Sequence, residues 1–147
     1  MKSRLFILLA TLALIPLSVG CNSLRISISD ANPPTFSFSA GSLAECCDHL
    51  AFLTVTELPS GDSNVSNGKV IWQVWPGSGT NNSAEALPQI TYGQVPSGFV
   101  QKIPRVGVPP LLEEGKTYMA AGPLIEVPEA YVTFRIEKGK TIKVAGP

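Results

Sequence analysis

The residues best equipped for chemistry stand in one run: Cys46, Cys47, Asp48 and His49. Two thiols, a carboxylate and the chain's single histidine offer three different outcomes. Soft thiolates with an imidazole suit copper(I) or zinc. Adjacent cysteines can close a strained vicinal disulfide in an oxidising compartment. The third outcome is two packed, inert thiols, since cysteine is among the residues most often buried. Spacing weighs against metal, because no C-x₂-C pair and no second ligand pair accompany them. Any Ser-His-Asp or Cys-His arrangement must use His49. In a strand, alternate side chains share a face, which puts Cys47 and His49 on one side and Asp48 on the other. Nothing in the sequence supplies the orienting group and open cleft that a nucleophile–base pair needs. Gly-rich phosphate loops, H-E-x-x-H and G-x-S-x-G are all missing. Glu113-Glu114 and Glu126/Glu129 read as solvated loop charges. The chain is therefore expected to be non-catalytic, with no metal and no cofactor.

The third cysteine, Cys21, sits in a different context. Lys2 and Arg4 precede an apolar run from Leu5 to Leu17, and small residues Ser18, Val19 and Gly20 lead into Cys21. A basic start, an apolar middle and a small-residue cleavage site describe a secretory signal peptide. The run is about 13 residues, short of the ~20 needed to cross hydrocarbon as a helix, and Pro16 interrupts it. Leu17-Ser18-Val19-Gly20-Cys21 resembles the lipobox of bacterial lipoproteins. That resemblance implies a diacylglycerol on the Cys21 sulfur, cleavage after Gly20 and acylation of the new amino terminus. One acyl chain holds a protein only marginally, whereas two or more anchor it stably. The three chains of a typical bacterial lipoprotein suffice. Asn22, where an aspartate usually favours inner-membrane retention, points to the outer membrane, facing the periplasm. The chain then divides into a leader (1–20), a short lipid-anchored tether (21–23) and one domain (24–147).

The 11 basic residues balance 11 acidic ones, and losing Lys2 and Arg4 leaves the remainder slightly acidic. No Lys/Arg cluster stands out to neutralise phosphates, which argues against nucleic acid as a partner. Thirteen prolines and 13 glycines punctuate the chain. Such punctuation suits many short strands joined by turns.

The elements that must position these residues follow from alternation. Leu24–Ser29 and Thr35–Ser39 alternate apolar and polar residues, separated by the turn cluster Asp30–Pro34. A helical turn is expected at Ser42–Glu45. His49–Leu58 is dense in apolar and β-branched residues, as in a strand buried on both faces. Lys69–Trp75 is a strand with Val70, Trp72 and Val74 on one face, making Trp72 the core tryptophan. Gln89–Val95 is another, with Ile90 and Tyr92 facing together. Pro96–Pro110 is expected to be irregular and extended, its apolar residues Phe99, Val100, Ile103 and Val106 covering a sheet edge. Near the C-terminus, Val132, Phe134 and Ile136 alternate, as do Ile142 and Val144. Keeping that whole apolar set on one face demands an odd loop, the three residues Lys138-Gly139-Lys140. The polar loops 59–68 and 76–86 are either plain connections or binding loops at one end of the domain. Trp75, Phe99 and Tyr131 are either core or an exposed apolar patch.

Leu111-Leu112-Glu113-Glu114-Gly115-Lys116-Thr117-Tyr118 resembles the tyrosine corner of fibronectin type III and other immunoglobulin-like sandwiches. That resemblance implies a hydroxyl bonded to backbone a few residues upstream. With the strand count, it points to an all-β, antiparallel immunoglobulin-like β-sandwich of seven or eight strands; a small closed barrel is the alternative. The functional expectation is a non-catalytic lipoprotein, anchored to the membrane through Cys21. Its domain would serve protein interaction or envelope support, with an envelope protein as partner. The alternative is a thiol-dependent metal-binding or redox module using Cys46, Cys47 and His49.

Overall fold

The computed structural model describes residues 24–40, 49–60, 67–124 and 127–145. Its strands are β1 (Arg25–Ile28), β2 (Thr35–Ser39), β3 (Leu53–Leu58), β4 (Lys69–Pro76), β5 (Ile90–Thr91), β6 (Phe99–Ile103), β7 (Thr117–Leu124), β8 (Val127–Glu137) and β9 (Lys140–Ala145). They form two antiparallel sheets, ordered β1-β2-β5 and β6-β4-β3-β7-β8-β9. The sheets face each other as a sandwich, and the described residues include no α-helix. The expected helical turn at Ser42–Glu45 lies outside the described residues.

The core is the layer between the sheets. Phe36 from the small sheet meets Phe134 from the large one at 6.1 Å between ring centroids, and Phe134 stacks on Tyr118 at 5.5 Å. Trp72 is fully buried, as its strand alternation requires, and packs edge-on against Tyr92. Removing each such side chain from water contributes about 1.5–3 kcal/mol.

Nine strands stand where seven or eight were expected, and β6 accounts for the difference. Within the proline-rich stretch, Phe99–Ile103 is a proline-free window, and it pairs with β4 as the sheet's edge. The expectation that this stretch covers a sheet edge is met by pairing. Phe99 turns into the core, but Val106 is 89% exposed and covers nothing. In β4 a register shift opposite Val55/Thr56 skips Ile71, so Ile71 and Trp72 are both buried while Val70 faces out. One extra residue in a ladder inverts the alternation beyond it, which is why Val70 departs from the expected face.

The final hairpin differs from the sequence expectation. Glu137 pairs with Lys140 and Ile136 with Thr141, leaving a two-residue turn, Lys138-Gly139. Ile142 consequently lies opposite Arg135 and is 40% exposed. Both turn residues have positive φ, 52° and 71°, the condition for the tight hairpin turn that matches strand twist. Four polar contacts decide the outcome. The Glu114 carboxylate accepts the N–H groups of Lys138 and Gly139. Buried Thr141 donates its N–H to the Asp30 carbonyl (3.0 Å) and its hydroxyl to the Ala31 carbonyl (2.6 Å). At about 0.5–1.5 kcal/mol each, more for those to a carboxylate, they outweigh the ~1.5–3 kcal/mol that burying Ile142 would contribute.

The tyrosine-corner bond is present. The Tyr118 hydroxyl accepts the Glu113 N–H at 2.8 Å, and the ring is buried. Gly115, at φ 77°, turns the chain between them and donates its N–H to the Ile136 carbonyl at 2.8 Å.

The strands also define two ends. β1 starts beside the close of β7, where Ile26 and Leu50 both crowd Gly122. The end of β4 lies at this same end, since Val74 pairs with Leu53. The far end holds the β1–β2 turn, the Glu113–Gly115 turn and the β8–β9 turn, tied together by the Thr141 and Glu114 bonds.

Tyr118→Phe leaves the Glu113 N–H without its acceptor and should lower stability by about 1–2 kcal/mol. The urea midpoint should fall at unchanged slope. Lys138→Asn relieves a positive φ that asparagine tolerates and should raise stability by about 0.5–1 kcal/mol, seen as a higher melting temperature.

Candidate functional site

The far end carries a cleft of about 330 Å³, lined by Asn32, Pro33, Tyr92, Gly93, Gln94 and the run Val108–Leu112. Its floor comes from the stub of β5. Tyr92 follows that strand directly, and its N–H donates to the Pro34 carbonyl at 2.9 Å. Gly93 then turns the chain away at φ 81°, with the Pro109 ring 3.5 Å from where a Cβ would sit. A side chain there would require a strained backbone and would push on that wall. The Tyr92 hydroxyl donates to the Pro110 carbonyl at 2.7 Å and so fastens the opposite wall to the floor.

A second clamp lies behind the wall. The Gln101 side-chain oxygen accepts the Trp72 indole N–H at 3.1 Å, while its amide donates to the carbonyls of Pro104 (2.8 Å) and Gly107 (2.9 Å). One amide thereby fixes the 104–107 loop to the core tryptophan. Among the described residues, no buried side-chain nitrogen or oxygen lacks a partner.

The cleft is lined mostly by apolar groups. Pyrrolidine rings of Pro33, Pro109 and Pro110 form its sides, and Asn32 and Gln94 place exposed amides at its rim. Val108 and Leu111 line it, and Val106 precedes that run by two residues, each more than 80% exposed. Large apolar side chains this open to water mark an interaction surface when they cluster. Among the lining residues only Tyr92 can ionise. Burial pushes its hydroxyl well above the usual tyrosine range, with the Tyr118 and Glu57 charges adding to the effect. Neutral and committed to Pro110, it is no proton acceptor.

Beside the cleft, Lys116 bridges Glu57 (2.9 Å) and Glu113 (2.7 Å). Hydrogen bonds to Glu113 and Glu57 raise its pKa above the usual lysine range. Such exposed pairs contribute little stability. Glu113 and Glu114, expected as plain solvated charges, are instead a lysine partner and an acceptor for the β8–β9 turn. Glu126 and the Glu129 side chain lie outside the described residues.

The sequence-predicted chemistry falls mostly elsewhere. Cys21, Cys46 and Cys47 lie outside the described residues, so the lipidation site and the possible vicinal thiol pair are not placed. His49 is exposed and forms an isolated antiparallel bridge with Ser83. No group of three or more potential metal ligands occurs among the described residues. The two polar loops do not share an end, because β3 and β4 run antiparallel: the strand ends that the 59–68 loop joins, Leu58 and Lys69, lie at the far end, and residues 76–86 lie at the near one. The second loop is well anchored. Gly77 donates to the Gly98 carbonyl at 2.7 Å, and Asn82 and Leu50 exchange two bonds. Of the trio Trp75, Phe99 and Tyr131, Phe99 is core and the other two are exposed.

No family model, curated protein or solved structure matches this chain.

Burial also raises the Tyr118 pKa, against the lowering effect of the Glu113 N–H. In the unfolded chain tyrosines ionise near pH 10. Stability from Tyr92 and Tyr118 is therefore complete below about pH 10 and declines as pH rises past it. Urea midpoints between pH 8 and pH 11 should fall for the native chain, and fall less steeply for Tyr92→Phe.

Proposed function

We propose that the chain is an exported lipoprotein, anchored through acyl chains on Cys21 to the outer membrane. It presents a non-catalytic, immunoglobulin-like domain to the periplasm for interaction with an envelope protein. The observation that carries this reading is polarity of placement. The β1 start, four residues after Cys21, lies at one end of the sandwich, and the apolar cleft lies at the other. A chain tethered by its first residues would hold the cleft away from the bilayer.

Three further features support it. The leader has a basic start, an apolar run and small residues before a cysteine. The β1-β2-β5 sheet opposite β4-β3-β7-β8 has the strand order A-B-E against C′-C-F-G of immunoglobulin-like sandwiches, and Tyr118 opens the strand in the F position. The cleft's rings and rim amides suit an extended peptide segment, whose apolar side chains would pack on proline and whose backbone would bond the amides.

Cys21→Ser should abolish incorporation of labelled palmitate and release the protein from membranes or leave its leader uncleaved. A native chain that takes up no fatty acid would sink the anchored reading. A photo-reactive residue in place of Leu111, in intact cells, should crosslink to an envelope protein, whereas the same group at Glu85 should not.

A further inference from the structure

The near end carries its own exposed aromatic surface. Trp75 is 40% exposed at the close of β4, where Val74 points into the core and Trp75 therefore points outward. It stacks on Phe52 at 5.0 Å with rings only 12° apart, and the Lys102 Nζ lies 5.9 Å from the indole centroid. Val100, paired with Trp75 across the β4–β6 ladder, is exposed as well. Tyr131, also 40% exposed, lies on the same outer face, separated from Trp75 by the buried Ala121 and Thr54.

We propose that this surface is a second membrane contact, seating the near end of the large sheet against the headgroup layer of the bilayer that holds Cys21. It rests on the lipid-anchor reading above. The chemistry fits a bilayer interface: indole and phenol rings settle at the headgroup level, and a lysine is attracted to anionic headgroups. Arg25, exposed at the β1 start, adds a second cation at this end.

The chain outside the described residues fixes the occupant. Cys21 precedes Leu24 by three residues, which span at most about 11 Å. β1 starts at the end where β4 closes and packs on β8 from the facing sheet, about 10 Å away, and β4 lies a further ~14 Å along the large sheet, at ~4.8 Å per strand. Acyl chains on Cys21 thus bring the bilayer surface within reach of Trp75. Once tethered, the patch binds at high effective concentration, so a weak contact suffices. Its effect is orientation: two points of attachment stop the domain from swivelling and hold the far-end cleft outward.

The test uses the mature lipidated protein in vesicles of phosphatidylethanolamine and phosphatidylglycerol with brominated acyl chains. The chain has two tryptophans, and Trp72 is fully buried, which makes it an internal reference. Bromine should remove roughly half of the emission by quenching Trp75 at the interface, and Trp75→Phe should show no quenching. Lipidated protein whose emission ignores bromine overturns the contact and leaves the anchor standing. Protein that carries no fatty acid overturns both. Emission that tracks protein concentration rather than bromination shows a second copy on the patch, and also overturns it.

Discussion

Phe134 is the side chain that both sheets share. Phe36 leans on it from the small sheet and Tyr118 stacks on it within the large one, and all three are buried. Apolar burial is non-directional, so a column of rings alone would let the sheets slide. Direction comes from the polar groups at its edge: the Tyr118 hydroxyl bonded to Glu113, and Thr141 bonded to the β1–β2 turn. Packing supplies most of the free energy of association, while these bonds select one register. The far end inherits its shape from that combination, because the turns that wall the cleft hang from these same groups.

The sheets were largely legible in the sequence, and the reasons are local. Period-2 alternation located β1, β2 and β8, and the apolar density of β3 marked a strand buried on both faces. Tyr118 could be assigned its bond because the motif around it spans only a few residues. The failures share one cause: each depended on a partner distant in the chain. Ile142 should be inside by its own pattern, but Asp30 and Ala31 claim Thr141 instead. Val70 should be inside until β3 imposes a bulge on β4. β6 became a strand only because β4 offered an unpaired edge.

The cleft was hidden for the same reason. Asn32, Tyr92 and Pro110 lie far apart in sequence, and nothing in any one of them announces a shared cavity. A usable signal did exist in Val106, Val108 and Leu111, apolar residues among prolines with no strand to bury them. Val106, read as cover for a sheet edge, is surface, as are Val108 and Leu111. The thiols that first drew attention lie outside the described residues, whereas the cleft is lined mostly by proline, amide and aliphatic side chains that no reactivity-based reading would single out.

The Thr141 hydroxyl reaches back across 110 residues to the Ala31 carbonyl. Closing so large a loop is entropically costly and has to await the last strand. Before β9 is in place the first turn is held by its own bonds and by Tyr92, whose N–H meets the Pro34 carbonyl, but is not fastened to the last hairpin, and the sandwich stays open at that seam. The seam between the first turn and the last hairpin is therefore the part of the sandwich whose closure depends on the most distant pair of residues.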